Sequence, residues 1–188
     1  MNSEFENMAL AVQALLKAYN KSNEKKVKDA FKKSIHTLLS SDLWGEPNKV
    51  SVKAQKFADE RGFKKDLESA TWNQLGDNCL KDQEKVNANG KRGLILEHVV
   101  PRHYLTEWLI ACDRNDLEKI KYIMKKTKCA VIHYEEDRVL ETKDRPNPAN
   151  AYFDDAKINL IGIKTKKELI DWIGFETIEE VEKIIYKH

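Results

Sequence analysis

The sequence predicts an α+β domain that is mainly helical, with its strands confined to the middle of the chain. Two observations carry that prediction. Apolar residues recur at spacings of three and four through the first part of the chain and again at its end. Between them, Leu94-Ile95-Leu96 and Cys129-Ala130-Val131-Ile132 are short continuous apolar runs, the second with β-branched residues. A length of 188 residues fits one domain, and a hydrophobic content of 41% suffices for its core. A formal net charge of +2 supplies little attraction for nucleic acid, so any basic surface has to arise from local clustering.

From the amino terminus, Phe5, Met8, Ala9, Val12, Leu15, Leu16 and Tyr19 form one face of a helix over 4–20. Asn23 is the expected cap of a second helix, with Val27, Phe31, Ile35, Leu38 and Leu39 on its inner face. A loop at Leu43–Asn48 follows, then helices over 51–60 and 64–75, stopped by Gly62 and Gly76. Trp72, Leu75, Leu80 and Val86 extend a weaker helical pattern to the turn Asn87-Ala88-Asn89-Gly90. After the strand at 94–96, helices are expected from Tyr104 to Cys112 and from about Asn115 to Met124, followed by the strand at 129–132. A short helix over 135–141 then carries acids in its first turn, where the helix dipole favours them, and Arg145-Pro146-Asn147-Pro148 ends it. Residues 159–163 suggest a third extended piece. Thr165 and Thr177 each precede a terminal helix, with Leu169, Ile170, Trp172 and Ile173, then Ile178, Val181, Ile184 and Ile185, facing inward. Three regions result: 1–90 helical, 91–145 containing the strands, and 146–188 packing on the same domain.

The three cysteines, Cys79, Cys112 and Cys129, form no Cys-x-x-Cys, which argues against a zinc knuckle or a disulfide framework. They read as small buried hydrophobes, and the tryptophans 72, 108 and 172 as core. No stretch of eighteen apolar residues exists, and the first residues lack a basic-then-apolar pattern. The expectation is a soluble, reduced, cytoplasmic protein with no membrane partner; no feature of the sequence sets its oligomeric state.

The most informative run is Gly93-Leu94-Ile95-Leu96-Glu97-His98-Val99-Val100-Pro101. An apolar strand ends in an acid followed by a histidine, and a proline soon stops it. The strand holds both side chains in place, as a hydrolytic site does when it presents one metal ligand and one general base. The plainer alternative is a strand-end histidine bonded to a neighbouring backbone, with Glu97 facing water. On the helix after the second strand, Asp137, Arg138 and Glu141 cluster opposite Val139 and Leu140. Asp137 and Glu141 stand one turn apart, and carboxylate oxygens suit Mg²⁺ or Mn²⁺.

The segment Leu96-Glu97-His98-Val99-Val100-Pro101, with the second strand 129–133 and the helix 135–141, resembles the HNH (ββα-metal) endonucleases over roughly residues 92–142. The resemblance implies a small ββα-metal centre within the mainly helical domain. It implies that Glu97 is a metal ligand, that His98 is the base activating water, and that Asp137 is the helix ligand, where many relatives carry histidine or asparagine. Asn115 is a candidate for the middle asparagine. The insertion between the strands, 102–128, is helical and longer than the family's usual loop. The implied activity is divalent-metal-dependent hydrolysis of nucleic acid, DNA before RNA, in a restriction, defence or toxin role. Arg102, Arg138, Lys143 and Arg145 are the candidate phosphate contacts.

Other readings compete. Glu141-Thr142-Lys143 matches half of another nuclease motif, which would need a strand there. His103 reads as a helix-start or surface residue, and His133 as a strand-end group able to support the site. The lysine-rich stretch 17–33 reads as a solvated helix face because acids interleave it. The main alternative is a non-catalytic helical module that binds nucleic acid or a partner protein.

Overall fold

The computed structural model describes residues 3–39, 47–63, 66–71, 74–75, 93–140 and 145–186. The expected turn at 87–90, the residues Trp72, Gly76, Cys79, Leu80 and Val86, and the candidates Glu141 and Lys143 lie outside them.

The chain is mostly helical, with one small mixed sheet. Helices α1 (Ser3–Lys21) and α2 (Lys25–Leu38) form a hairpin. Strand β1 (Lys49–Val50) leads into α3 (Val52–Glu60), capped by Ser51, whose side chain accepts from the Ala54 amide at 3.0 Å. Then come β2 (Leu94–His98), α4 (Arg102–Ala111), α5 (Leu117–Met124), β3 (Cys129–His133) and α6 (Tyr134–Val139). A short turn α7 (Pro148–Asn150) runs into a π-helical turn (Ala151–Asp155), and α8 (Lys166–Ile173) and α9 (Ile178–Ile185) complete the described chain.

The sheet order is β1-β3-β2, with β1 parallel to β3 and β2 antiparallel to it. Glu97 lies opposite Ala130 and His98 opposite Cys129. Strand side chains alternate between faces. Leu94, Leu96, Cys129 and Val131 therefore meet a small core under α3, with Val50, Ala54, Ala58 and Leu67. Ile95, Ala130 and Ile132 meet the larger core on the other face. That core joins α1 and α2 (Val12, Leu16, Ile35) to Trp108, Ile123, Tyr152 and Val181, so the amino-terminal helices share their interior with the carboxy-terminal ones. Each fully buried Leu or Ile there contributes about 1.5–3 kcal/mol.

Gly93 makes room for Phe57. The ring of Phe57 on α3 occupies the space a Cβ would take at this position, so any other residue here displaces that ring.

The structure departs from the sequence expectations in six places. The residue capping α2 is Glu24 rather than Asn23, and it makes no side-chain cap bond. The helix expected over 64–75 is replaced in its middle by a 3-10 turn, Leu67–Ser69, followed by extended Ala70. Buried Asn48 donates to the Ala70 carbonyl at 2.9 Å, and its amide bonds the Glu68 carbonyl at 2.7 Å, which holds this segment against β1. Strand β1 was not expected, being two residues long and ordered by its partner β3. The extended piece at 159–163 reduces to one bridge between Leu160 and Ser51 before a turn. Val139, expected to point the same way as Leu140, is 60% exposed while Leu140 is buried, and Ile184, expected to face inward on the last helix, is 47% exposed.

Candidate active site around the end of strand β2

Strand β3 passes directly into α6, which packs against both β2 and β3. The junction is a capping box: the His133 ring accepts from the helix's first turn, and Glu136 accepts from the His133 amide at 2.8 Å. His133 thus starts the helix, and its ring lies 5.1 Å from that of Phe57, tilted by 56°. With α6 anchored this way, Asp137 comes close enough to Glu97 to act on its carboxyl.

Glu97 sits on the larger-core face of β2, its side chain 22% exposed. Its Oε1 accepts from Nη2 of Arg145, and the same nitrogen donates to the His98 carbonyl at 2.9 Å. Arg145, expected among the phosphate contacts, is buried and serves the interior instead. Burial pushes the Glu97 carboxyl above the usual range, Arg145 opposes that shift, and the negative Asp137 adds to it. The hydroxyl of Tyr152 and Nε of Arg145 are buried here without a hydrogen-bond partner. Burial first, then the nearby Glu97 charge, holds the Tyr152 phenol well above its ordinary value.

His98 faces a different set of neighbours. Its ring bonds the backbone of Leu39 at the end of α2, and its Nε2 is buried without a partner. Burial, then the positive charge of Arg102, brings the imidazole down to about 3. Arg102 begins α4 and acts on both Glu97 and His98. Arg138 is exposed on α6. Asn115 lies in the turn before α5, its amide bonded to Asp113. His103 sits in the first turn of α4, its ring 4.2 Å from that of Tyr104.

Glu97, Asp137, Arg145 and Tyr152 thus form one cluster, and His98, Arg102 and His36 of α2 form a second beside it. Tyr152 and His36 were not singled out from the sequence. Tyr152 carries the signature of a core aromatic, and His36 lies among lysines on a helix that reads as solvated. A cleft of about 440 Å³ lies along Val52, Lys53, Glu135, Val139 and Lys157, and none of the cluster residues lines it.

A hard cation suits the chemistry of Glu97 and Asp137, two neighbouring carboxylates of which Glu97 is held above its normal range by burial first and by the Asp137 charge in addition. Among the described residues, no group of three or more His, Cys, Asp or Glu gathers closely enough to hold a metal. No family model matches the chain, and neither a curated protein nor a solved structure does. Among the described residues, no helix is long and apolar enough to cross a membrane.

The state of His98 predicts acid sensitivity. In the unfolded chain the ring binds a proton near 6.5, and in the folded chain only near 3. The unfolded state therefore holds the extra proton throughout that window, so stability is full above it and is lost as pH falls. In EDTA, the chain should be about 2 kcal/mol less stable at pH 5 than at pH 7.5 from this residue alone. Urea unfolding of wild type and His98→Gln at both pH values isolates the contribution. Equal acid sensitivity in the two proteins would show that the folded ring takes up its proton normally.

Proposed function

We propose that this chain is a divalent-metal-dependent endonuclease of the HNH type, hydrolysing phosphodiester bonds in nucleic acid, DNA in preference to RNA. The observation that carries the reading is the end of β2. There Glu97 and His98 follow one another beside an antiparallel partner strand and the helix that leaves it, with Asp137 acting on Glu97. Glu97 and Asp137 would hold Mg²⁺ or Mn²⁺, with Glu141 the further candidate ligand. The ion, when bound, supplies positive charge to the scissile phosphate and the leaving oxygen.

The chain's own groups do the rest. His98 is the base: the Leu39 backbone orients its ring, and its unpartnered Nε2 takes the proton of the attacking water. Arg102 at the start of α4 and Arg138 on the exposed side of α6 contact flanking phosphates, with Lys143 as a further candidate. Arg145 positions Glu97 rather than substrate. A restriction, defence or toxin role agrees with this chemistry.

The competing reading is a non-catalytic module. One observation favours it: Arg145 already matches the charge of Glu97, as in a purely structural ion pair. Nicking of plasmid DNA with Mg²⁺, Mn²⁺ or EDTA separates the two. In Glu97→Gln, metal affinity and cleavage should fall together by more than about tenfold, the size of effect seen for even an outer partner of a metal ligand. Nucleic-acid binding should persist and weaken with salt, because Arg102 and Arg138 still displace counterions. A wild type that neither cuts nor binds nucleic acid at low salt would leave the interaction module as the better reading.

A further inference from the structure

The end of α2 and the start of α4 build a second feature beside His98. The two helices pack together, and Nδ1 of His36 lies 3.3 Å from the Thr106 hydroxyl. That hydroxyl donates its hydrogen to the Arg102 carbonyl at 2.8 Å, so its oxygen accepts from His36. The neutral His36 ring therefore carries its hydrogen on Nδ1 and leaves Nε2 open. Three residues later, Leu39 holds the ring of His98, whose own Nε2 is buried and unpartnered. One helix end thus sets the orientation of two imidazoles. Between them stands Arg102, which makes no ion pair with another described residue.

The charges acting on the two imidazoles have one sign. Arg102, Lys32 and His103 act on His36, and Arg102, His36 and Arg145 act on His98; all of them disfavour a proton on the rings, and no carboxylate appears among them. A folded protein ordinarily places acids near such a group. The carboxylate next to this corner, Glu97, is already paired with Arg145, so the guanidinium and imidazoles of the corner are stabilised by an anion arriving from outside.

We infer that His36, Arg102 and the first turn of α4 form a binding site for a phosphoryl oxyanion next to His98, so that the amino-terminal helix pair supplies part of the substrate site. The inference deepens the nuclease reading and rests on it for the identity of the anion as a nucleic-acid phosphate. Arg102 donates to the phosphoryl oxygens through its guanidinium, and His36 donates through Nε2 once the anion's charge favours its protonated form. The site accounts for a helix hairpin that shares a core with the strand-bearing region and ends at the candidate base.

The test uses the whole chain in EDTA, with nitrogen-detected NMR of the imidazole rings. Inorganic phosphate, a short deoxyoligonucleotide and a short ribo-oligonucleotide are added separately. Movement of the His36 Nε2 resonance toward its protonated value supports the site. A response to oligonucleotide at far lower concentration than to inorganic phosphate assigns the anion to the polymer, and the reverse assigns it to a free phosphate ligand. A His36 resonance unmoved by all three overturns the inference.

Kinetics supply the second arm. His36→Gln should raise KM for DNA about tenfold, the worth of one charge-assisted hydrogen bond, with kcat within about twofold. Arg102→Gln should reduce the salt slope of binding by about one. An unchanged KM in His36→Gln, in a protein that cuts plasmid, overturns the inference and leaves the nuclease standing. A His36 ring that responds to phosphate in a protein that cuts nothing keeps the anion site and removes the nuclease.

Discussion

Replacing His98 by alanine should lower the rate of metal-dependent plasmid cleavage by about 10²–10⁴-fold, the usual contribution of a positioned general base. The expectation rests on the ring's surroundings. Leu39 fixes the orientation, Nε2 has no competing partner, and the depressed proton affinity keeps the imidazole neutral at any ordinary assay pH. A base so easily deprotonated is weak on its own. The negative phosphate of a bound substrate would raise its affinity for a proton, so the loss should appear in kcat under single-turnover conditions with little change in binding. The variant also removes the bond to the Leu39 backbone, so circular dichroism and urea unfolding establish that the chain is folded before the rates are compared. A folded His98→Ala protein that cuts at the wild-type rate would show that this histidine is structural.

Arg145→Met should cost about 3–5 kcal/mol of stability, the range found when one partner of a buried ion pair is removed. The guanidinium is buried, it neutralises Glu97, and it satisfies the His98 carbonyl, so methionine leaves two acceptors behind. The partial exposure of Glu97 places the loss toward the lower end. Glu97 has a means of relief, since burial already raises its affinity for a proton. The penalty should therefore shrink as pH falls toward the carboxylate range and grow again above it. Arg145→Met combined with Glu97→Gln should recover much of the loss, because the uncompensated charge is gone. Urea unfolding of the four proteins of this cycle measures the coupling, and an Arg145→Met protein as stable as wild type would mean that the pair contributes nothing to the fold.

What the sequence discloses depends on whether the signal is local. The terminal helices were legible because Thr165 with Glu168, and Thr177, are caps whose partners lie within one turn. Ser51, expected inside the helix over 51–60, is instead its cap. Segment 64–75 misled because its helical spacing is outweighed by tertiary bonds from Asn48 to the turn at Leu67–Ser69. Strand β1 carries no pattern at all and exists through its pairing with β3. In the site, Glu97-His98 stood out because an apolar strand led into it. Tyr152 and His36 did not, since each reaches its cluster from a distant part of the chain. Arg145 looked like a surface cation in a proline-rich stretch, and only the fold turns it inward.

The two antiparallel strands of the sheet, central β3 and edge strand β2, are separated by residues 99–128, which contain α4 and α5. They cannot zip together from a tight turn as a hairpin does within microseconds. Their pairing has to wait for a long closure whose entropic cost is repaid only when both helices dock through Trp108, Ile120 and Ile123. During synthesis, Leu94–His98 is therefore made well before any strand exists to receive it. Glu97 meets Arg145 only after the chain has grown past α6, so the cluster is a late product of folding.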